Sequence, residues 1–267
     1  MNNQPIGVFD SGLGGLSVVK ELNHLLPNED IVYFGDTARV PYGTRDFNTI
    51  TRYAMQDIQF LQKHNVKLIV AACGTVSSIA SIFRNNINVP FVTILENAAL
   101  MAAKASCIKR VGIIGTMATI KSQSFTHILR NIDNNIKTFS MPCSLLIPLV
   151  EEGWIDYDNS IMRAVLKKYL TPLSQENIDV LILGCTHFPI IAPIISDVIG
   201  KNVTLINTGE SVAYDVAEIL QNQNLLTQKV SVGYTKCYVS DYSENFDNIA
   251  HIFMSKKLDI ERVDMWN

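Results

Sequence analysis

Two cysteines stand where a thiol could react rather than merely pack. Cys73 closes the apolar run "VKLIVAA" and precedes Gly74 and Thr75; Cys185 closes "VLILG" and precedes Thr186 and His187. A nearby imidazolium stabilises a thiolate, the form that attacks or takes a proton. The alternative for either position is a small buried hydrophobe, with Cys73 lying under a helix capped by Thr75 or Ser77. His187 could also ligate a metal, but one Cys and one His in a short loop, without further clustered ligands, make a weak zinc site.

Three other stretches carry polar groups that such thiols could use. "DSGLGG", Asp10 to Gly15, lies between a strand-like run and a helical period. Its amides could meet an anion at a helix N-terminus, or Asp10 and Ser11 could simply cap that helix. It is no dinucleotide fingerprint, because Ser17 occupies the third glycine position. "DTARVPYGTR", Asp36 to Arg45, is a turn-rich loop holding Pro41, Tyr42 and Gly43, and loops at strand ends often carry specificity. "PLVEEGW" supplies Glu151 and Glu152; such pairs are usually surface carboxylates, but one buried beside an imidazole would be functional.

The elements that must position these residues alternate. Short runs rich in Ile and Val recur at "IGVF" (6), "IVYF" (31), "VKLIVAA" (66), "PFVTI" (90), "VGIIG" (111), "VLILG" (180) and "VTLI" (203). Helical periods lie between most of them, over 16–26, 49–64, 119–132 and 160–169. Continuous rather than alternating apolarity predicts strands covered on both faces, hence a parallel sheet with crossover helices. The pattern nearly repeats: Cys73 follows Gly7 by 66 residues, and Cys185 follows Gly112 by 73. Ligands of open α/β sheets sit outside the carboxyl ends of strands, so two such halves facing each other would place the thiols on opposite walls of one cleft.

Composition narrows the class. The chain has 267 residues, 48% apolar and 18% charged, with a net charge of -3; this describes a globular protein of one large or two modest domains. The charge gives no reason to expect nucleic acid, and no apolar stretch reaches membrane-spanning length. The N-terminus lacks the features of a signal peptide, so the expected location is the cytoplasm. The five cysteines are odd in number and widely spaced, which argues against a disulfide framework.

Taken together, "IGVFDSGLGGLSVVKEL", "YFGDTARVPYGTR", "GTMATIKS", "PLVEEG", "LILGCTHFPI" and "YVSDYSENF" resemble, in order and spacing, the motifs of the glutamate racemase family of cofactor-independent aspartate/glutamate racemases. The resemblance covers almost the whole chain. It implies two flavodoxin-like α/β domains related by a pseudo-twofold, with the active site between them. The first would be 1–96 plus 210–267 and the second 97–209. It also implies inversion of the glutamate α-carbon without pyridoxal phosphate or metal, supplying D-glutamate for peptidoglycan. Related racemases are commonly dimeric, so a homodimer is compatible with it, although nothing local in the chain marks an interface.

Carried onto matching positions, the resemblance makes Cys73 the base for D-glutamate and Cys185 the base for L-glutamate. Asp10 would assist Cys73. His187 would assist Cys185, with Glu151, which directly follows "PLV", nearby. Ser11, Thr75 and Thr186 would hold the α-carboxylate and amine, and Pro41, Tyr42, Gly43, Thr116 and Thr119 would surround the side-chain carboxylate. One position departs from the pattern. Most members read Cys-Asn-Thr, with the Asn contacting substrate, where this chain reads Cys73-Gly74-Thr75. Gly74 keeps a backbone amide for substrate but offers no side-chain donor. Losing a hydrogen bond to a charged group costs about 1.5 to 3 kcal/mol, so the expectation is a weakened racemase. An aspartate-preferring racemase and a low-turnover amino-acid-binding relative are the competing expectations.

Overall fold

The computed structural model describes residues 3–242, 246–254 and 258–264. The resembling tail motif at 238–246 therefore lies partly outside the described residues. Ten strands, β1 Ile6–Asp10, β2 Ile31–Gly35, β3 Leu68–Ala71, β4 Phe91–Thr93, β5 Arg110–Gly115, β6 Lys137–Pro142, β7 Val180–Leu183, β8 Thr204–Asn207, β9 Thr235–Val239 and β10 Ile260–Arg262, form two sheets among the described residues. The first has the order β10, β9, β2, β1, β3, β4 and the second β6, β5, β7, β8. Every pairing is parallel. The order β2, β1, β3, β4 thus recurs as β6, β5, β7, β8, which gives the near-repeat in sequence its structural meaning.

Helices cover both faces: α1 Leu16–Leu25, α2 Phe47–Lys63, α3 Gly74–Ser77, α4 Glu96–Ala105, α5 Met117–Ser122, α6 Ser124–Ile132, α7 Leu146–Glu151, α8 Ser160–Gln175, α9 Ala192–Ile199, α10 Thr208–Asn222 and α11 Phe246–Met254. Alternate residues of one strand serve opposite faces. Ile6 and Val8 join a core with α1, whereas Phe9 joins a second core with Ile50, Ala54 and Ile58 of α2. A third core lies between α4, α6 and the second sheet.

The continuous apolar runs became β1 to β5, β7 and β8, with ends shifted by one or two residues in either direction. Three strands were not foreseen. β6 is half exposed along its length, and β9 and β10 are supplied by the chain end; none has an uninterrupted apolar run. The period expected over 119–132 is two helices, broken at Gln123, whose φ of 56° ends α5 in the left-handed region. The helix expected over 160–169 continues through Pro172 to Gln175.

Buried carboxylates fasten the connection between α10 and β9. Glu29 pairs with Lys67 at 2.5 Å and accepts from the Thr227 amide at 2.7 Å, and Lys67 also donates to the Leu225 carbonyl at 2.8 Å. Asp30 pairs with Lys229 and accepts from the Tyr234 amide at 3.1 Å. Removing one member of a buried pair strands the other charge. Lys67→Met is therefore expected to lower stability by about 3 to 5 kcal/mol, read from urea unfolding, with little direct effect on the cavity described next.

Candidate active site

All the chemistry-bearing loops leave the carboxyl ends of strands. Asp10 ends β1; Asp36 to Asp46 follows β2; Cys73 follows β3; Thr116 follows β5; Gly184 to His187 follows β7. Between the two sheets they enclose a cavity of about 340 Å³, a size suited to a small ligand. Of the residues expected at the site, Asp10, Ser11, Pro41, Tyr42, Gly43, Cys73, Gly74, Thr75, Thr116, Glu151, Cys185, Thr186 and His187 line it. Thr119 does not; its hydroxyl stands behind the wall, 2.9 Å from that of Thr116.

The wall at β7 is an imidazole relay. Cys185 Sγ lies 3.7 Å from His187 Nδ1, and His187 Nε2 lies 2.9 Å from Glu151 Oε1. Of the two adjacent glutamates it is Glu151, at the end of α7, that reaches the imidazole. Burial opposes a charged ring, but the hydrogen bonds and negative charge of Cys185 and Glu151 outweigh it and lift His187 to about 10. The imidazolium is thus the neutral-pH form, and it places a positive charge beside the Cys185 sulfur. Phe253 of α11 meets the ring edge-on, with centroids 5.5 Å apart.

The facing wall solves burial differently. Desolvation raises the Asp10 carboxyl, against the opposing influence of His187 and of the Gly15 and Gly12 amides. Burial first and the Asp10 charge second push the Cys73 thiol up to about 12. Cys73 is therefore a neutral thiol at rest, within 3.6 Å of the Ser11 hydroxyl. Asp10 and Ser11 do not cap α1: Gly15 holds the cap position without a side-chain bond, and Asp10 Oδ2 accepts from the Gly15 amide at 2.9 Å just ahead of the helix. The caps considered for α3 do not form: Cys73 occupies the cap position without a side-chain bond, and Ser77 donates instead to the Ala71 carbonyl at 2.9 Å. The two walls are joined by hydroxyls, Thr75 to Thr116 at 2.9 Å.

Sequence reasoning missed the support beneath Tyr42. Its hydroxyl contacts Asp36 and lies 3.0 Å from Asp57 Oδ2; Arg39 binds both carboxyls, reaching Asp57 at 3.0 Å. Ser240, just past β9, donates to Asp36 at 2.8 Å. One phenol proton cannot serve two carboxylates. Burial and the Asp36 charge raise the Asp57 carboxyl, and the Arg39 charge and the Tyr42 hydroxyl oppose them. A signal existed: Asp57 sits on the buried stripe of α2 with Ile50, Ala54, Ile58 and Leu61. Gly12, Val40, Thr44 and Pro148, which lie within the quoted stretches, also line the cavity, as do Ser144 and Ile147, which have no distinguishing sequence signal. Among the described residues no group of three or more His, Cys, Asp or Glu side chains is placed to hold a metal, and no helix is long and apolar enough to cross a membrane.

Residues 6–214 match the family model described as Asp/Glu/Hydantoin racemase. The chain belongs to that family. It is a racemase, an isomerase. A protein named glutamate racemase from Chlorobaculum tepidum is 40% identical over 99% of this chain and 97% of its own. The crystal structure of glutamate racemase from Francisella tularensis in complex with D-glutamate is 35% identical and superposes with a TM-score of 0.93, covering 100% of this chain and 99% of that one. A glutamate racemase structure from Bacillus anthracis gives 0.94 at 30% identity, covering 99% and 98%.

The opposed electrostatics of this racemase yield a test that needs no turnover. Asp10→Asn removes the charge that raises Cys73, so its alkylation by iodoacetamide at pH 8, followed by peptide mass spectrometry, is expected to speed up severalfold. An unchanged rate would detach Asp10 from the thiol.

Proposed function

We propose that this chain is a glutamate racemase that works through two thiols, without a cofactor. The observation that carries it is the pair of cysteines lining one cavity, each beside an ionisable partner of opposite type, in a family whose relatives at about 40% identity are named glutamate racemases. In the L to D direction, Cys185 thiolate takes the α-proton: an S–H bond forms as the C–H bond breaks, and the electron pair stays on the substrate. The Cys73 thiol then gives its proton to the opposite face and becomes the thiolate. The D to L direction reverses both transfers. His187, held by Glu151, balances the charge of the Cys185 thiolate, and Asp10 assists at Cys73 by favouring its protonated, proton-giving form.

The α-proton is very weakly acidic, so the carbanionic transition state needs preorganised polar groups away from bulk water. Ser11, Thr75, Thr186 and the Gly74 amide are suited to the α-carboxylate and amine. Pro41, Gly43 and Thr116 are suited to the side-chain carboxylate, with Thr119 acting behind Thr116. The Tyr42 hydroxyl is committed to Asp36 and Asp57, which leaves its backbone for substrate. On this reading the domains divide as 1–96 plus 210–267 and 97–209, consistent with sheet membership, and the enzyme acts in the cytoplasm, supplying D-glutamate for peptidoglycan.

Racemisation assays of L-glutamate and L-aspartate test this directly. Wild type is expected to prefer glutamate, and Cys73→Ser and Cys185→Ser are each expected to lower the rate by about 100-fold or more. Faster racemisation of aspartate would overturn the specificity. Glutamate binding without any turnover would make the protein a binder instead.

A further inference from the structure

The first sheet's loops rest on the second sheet's loops at glycines. A Cβ placed on Gly14 would lie 2.3 Å from Thr186 Oγ1, and one on Gly43 would lie 2.8 Å from the Thr116 Cβ. Both of those neighbours are side chains. A Cβ on Gly74 would lie 2.4 Å from the backbone oxygen of Gly184, far inside any van der Waals contact. Main chain there has little freedom to yield, because the Gly184 amide donates to the Ile114 carbonyl at 2.8 Å, prolonging the pairing of β7 with β5. On the other side, Gly74 is the first residue of α3, and its carbonyl accepts from the Ser78 amide at 3.0 Å. Gly74 directly follows Cys73, and Gly184 directly precedes Cys185.

We propose, on the racemase assignment above, that Gly74 is a positioning residue: its missing side chain lets the two cysteine turns meet main chain to main chain, and that contact sets the spacing between the thiols. Any side chain at position 74 must push β3's turn and β7's turn apart. A substrate between them then reaches one sulfur well and the other poorly. The thiol that accepted the α-proton exchanges it with solvent and returns a solvent proton to the same face, so exchange with retention grows at the expense of inversion. The absent side chain, in this account, is a requirement of this cavity and not only a lost donor.

Gly74→Ala adds the Cβ alone. In deuterated solvent, α-proton exchange is followed by NMR and inversion by circular dichroism, with L-glutamate as substrate. Displacements near 1 Å at reacting groups cost up to about 100-fold, so kcat for inversion is expected to fall by about 10- to 100-fold while KM moves less. The ratio of exchange with retention to inversion is expected to rise severalfold, and more in Gly74→Asn. This ratio does not depend on the folded fraction, so poor folding cannot imitate it. An unchanged ratio in Gly74→Ala, with or without a lower kcat, overturns the positioning role, as does faster inversion in Gly74→Asn. Wild type with neither exchange nor inversion overturns the racemase assignment and the positioning role with it.

Discussion

Ionisable groups leave water only with a partner or with a change of protonation state, and this cavity is built around four of them. Asp10, Cys73, Cys185 and His187 are 1%, 5%, 6% and 7% exposed. On the β1 and β3 wall, burial raises the Asp10 carboxyl and, with the Asp10 charge, keeps Cys73 a neutral thiol, pushed up to about 12. On the β7 wall it is met by pairing, with imidazolium held between sulfur and the Glu151 carboxylate. Walls that are alike in topology therefore differ in charge. One wall thus holds a neutral thiol and the other a sulfur beside an imidazolium, an asymmetry that suits the proposed two-base reaction.

The support of this arrangement comes from far along the chain. Asp36 and Arg39 after β2, Asp57 within α2 and Ser240 after β9 converge under Tyr42. Phe253 of α11 braces the His187 ring. The end of the chain thus contributes to the site, among the described residues without lining the cavity, through β9 paired with β2 and through a helix behind the imidazole.

Strand ends were legible because parallel strands covered on both faces must be continuously apolar, and the first polar residue after such a run marks the carboxyl end where ligands bind. That logic located Asp10, Cys73 and Cys185 before any coordinates; Thr116 came from the family resemblance. It failed for β6, whose exposed face dilutes the signal, and for β9 and β10, which depend on pairing with β2 rather than on their own composition. The break at Gln123 left the helical period intact and so was silent. Thr119 was placed at the cavity because its motif was read as a unit, whereas the helical turn of α5 puts it behind Thr116. At Gly74 the sequence showed an absent donor, and only the coordinates show the Gly184 carbonyl filling the space where a side chain would stand.

The central claim is that each thiol serves one face of the α-carbon. Hydrogen exchange of the α-proton in deuterated solvent, followed separately for L- and D-glutamate in Cys73→Ser and Cys185→Ser, addresses it most directly. Cys73→Ser, retaining Cys185, should exchange L-glutamate and leave D-glutamate almost untouched, and Cys185→Ser should do the opposite. If both variants exchange the same enantiomer, or either exchanges both at similar rates, the two-faced assignment is wrong.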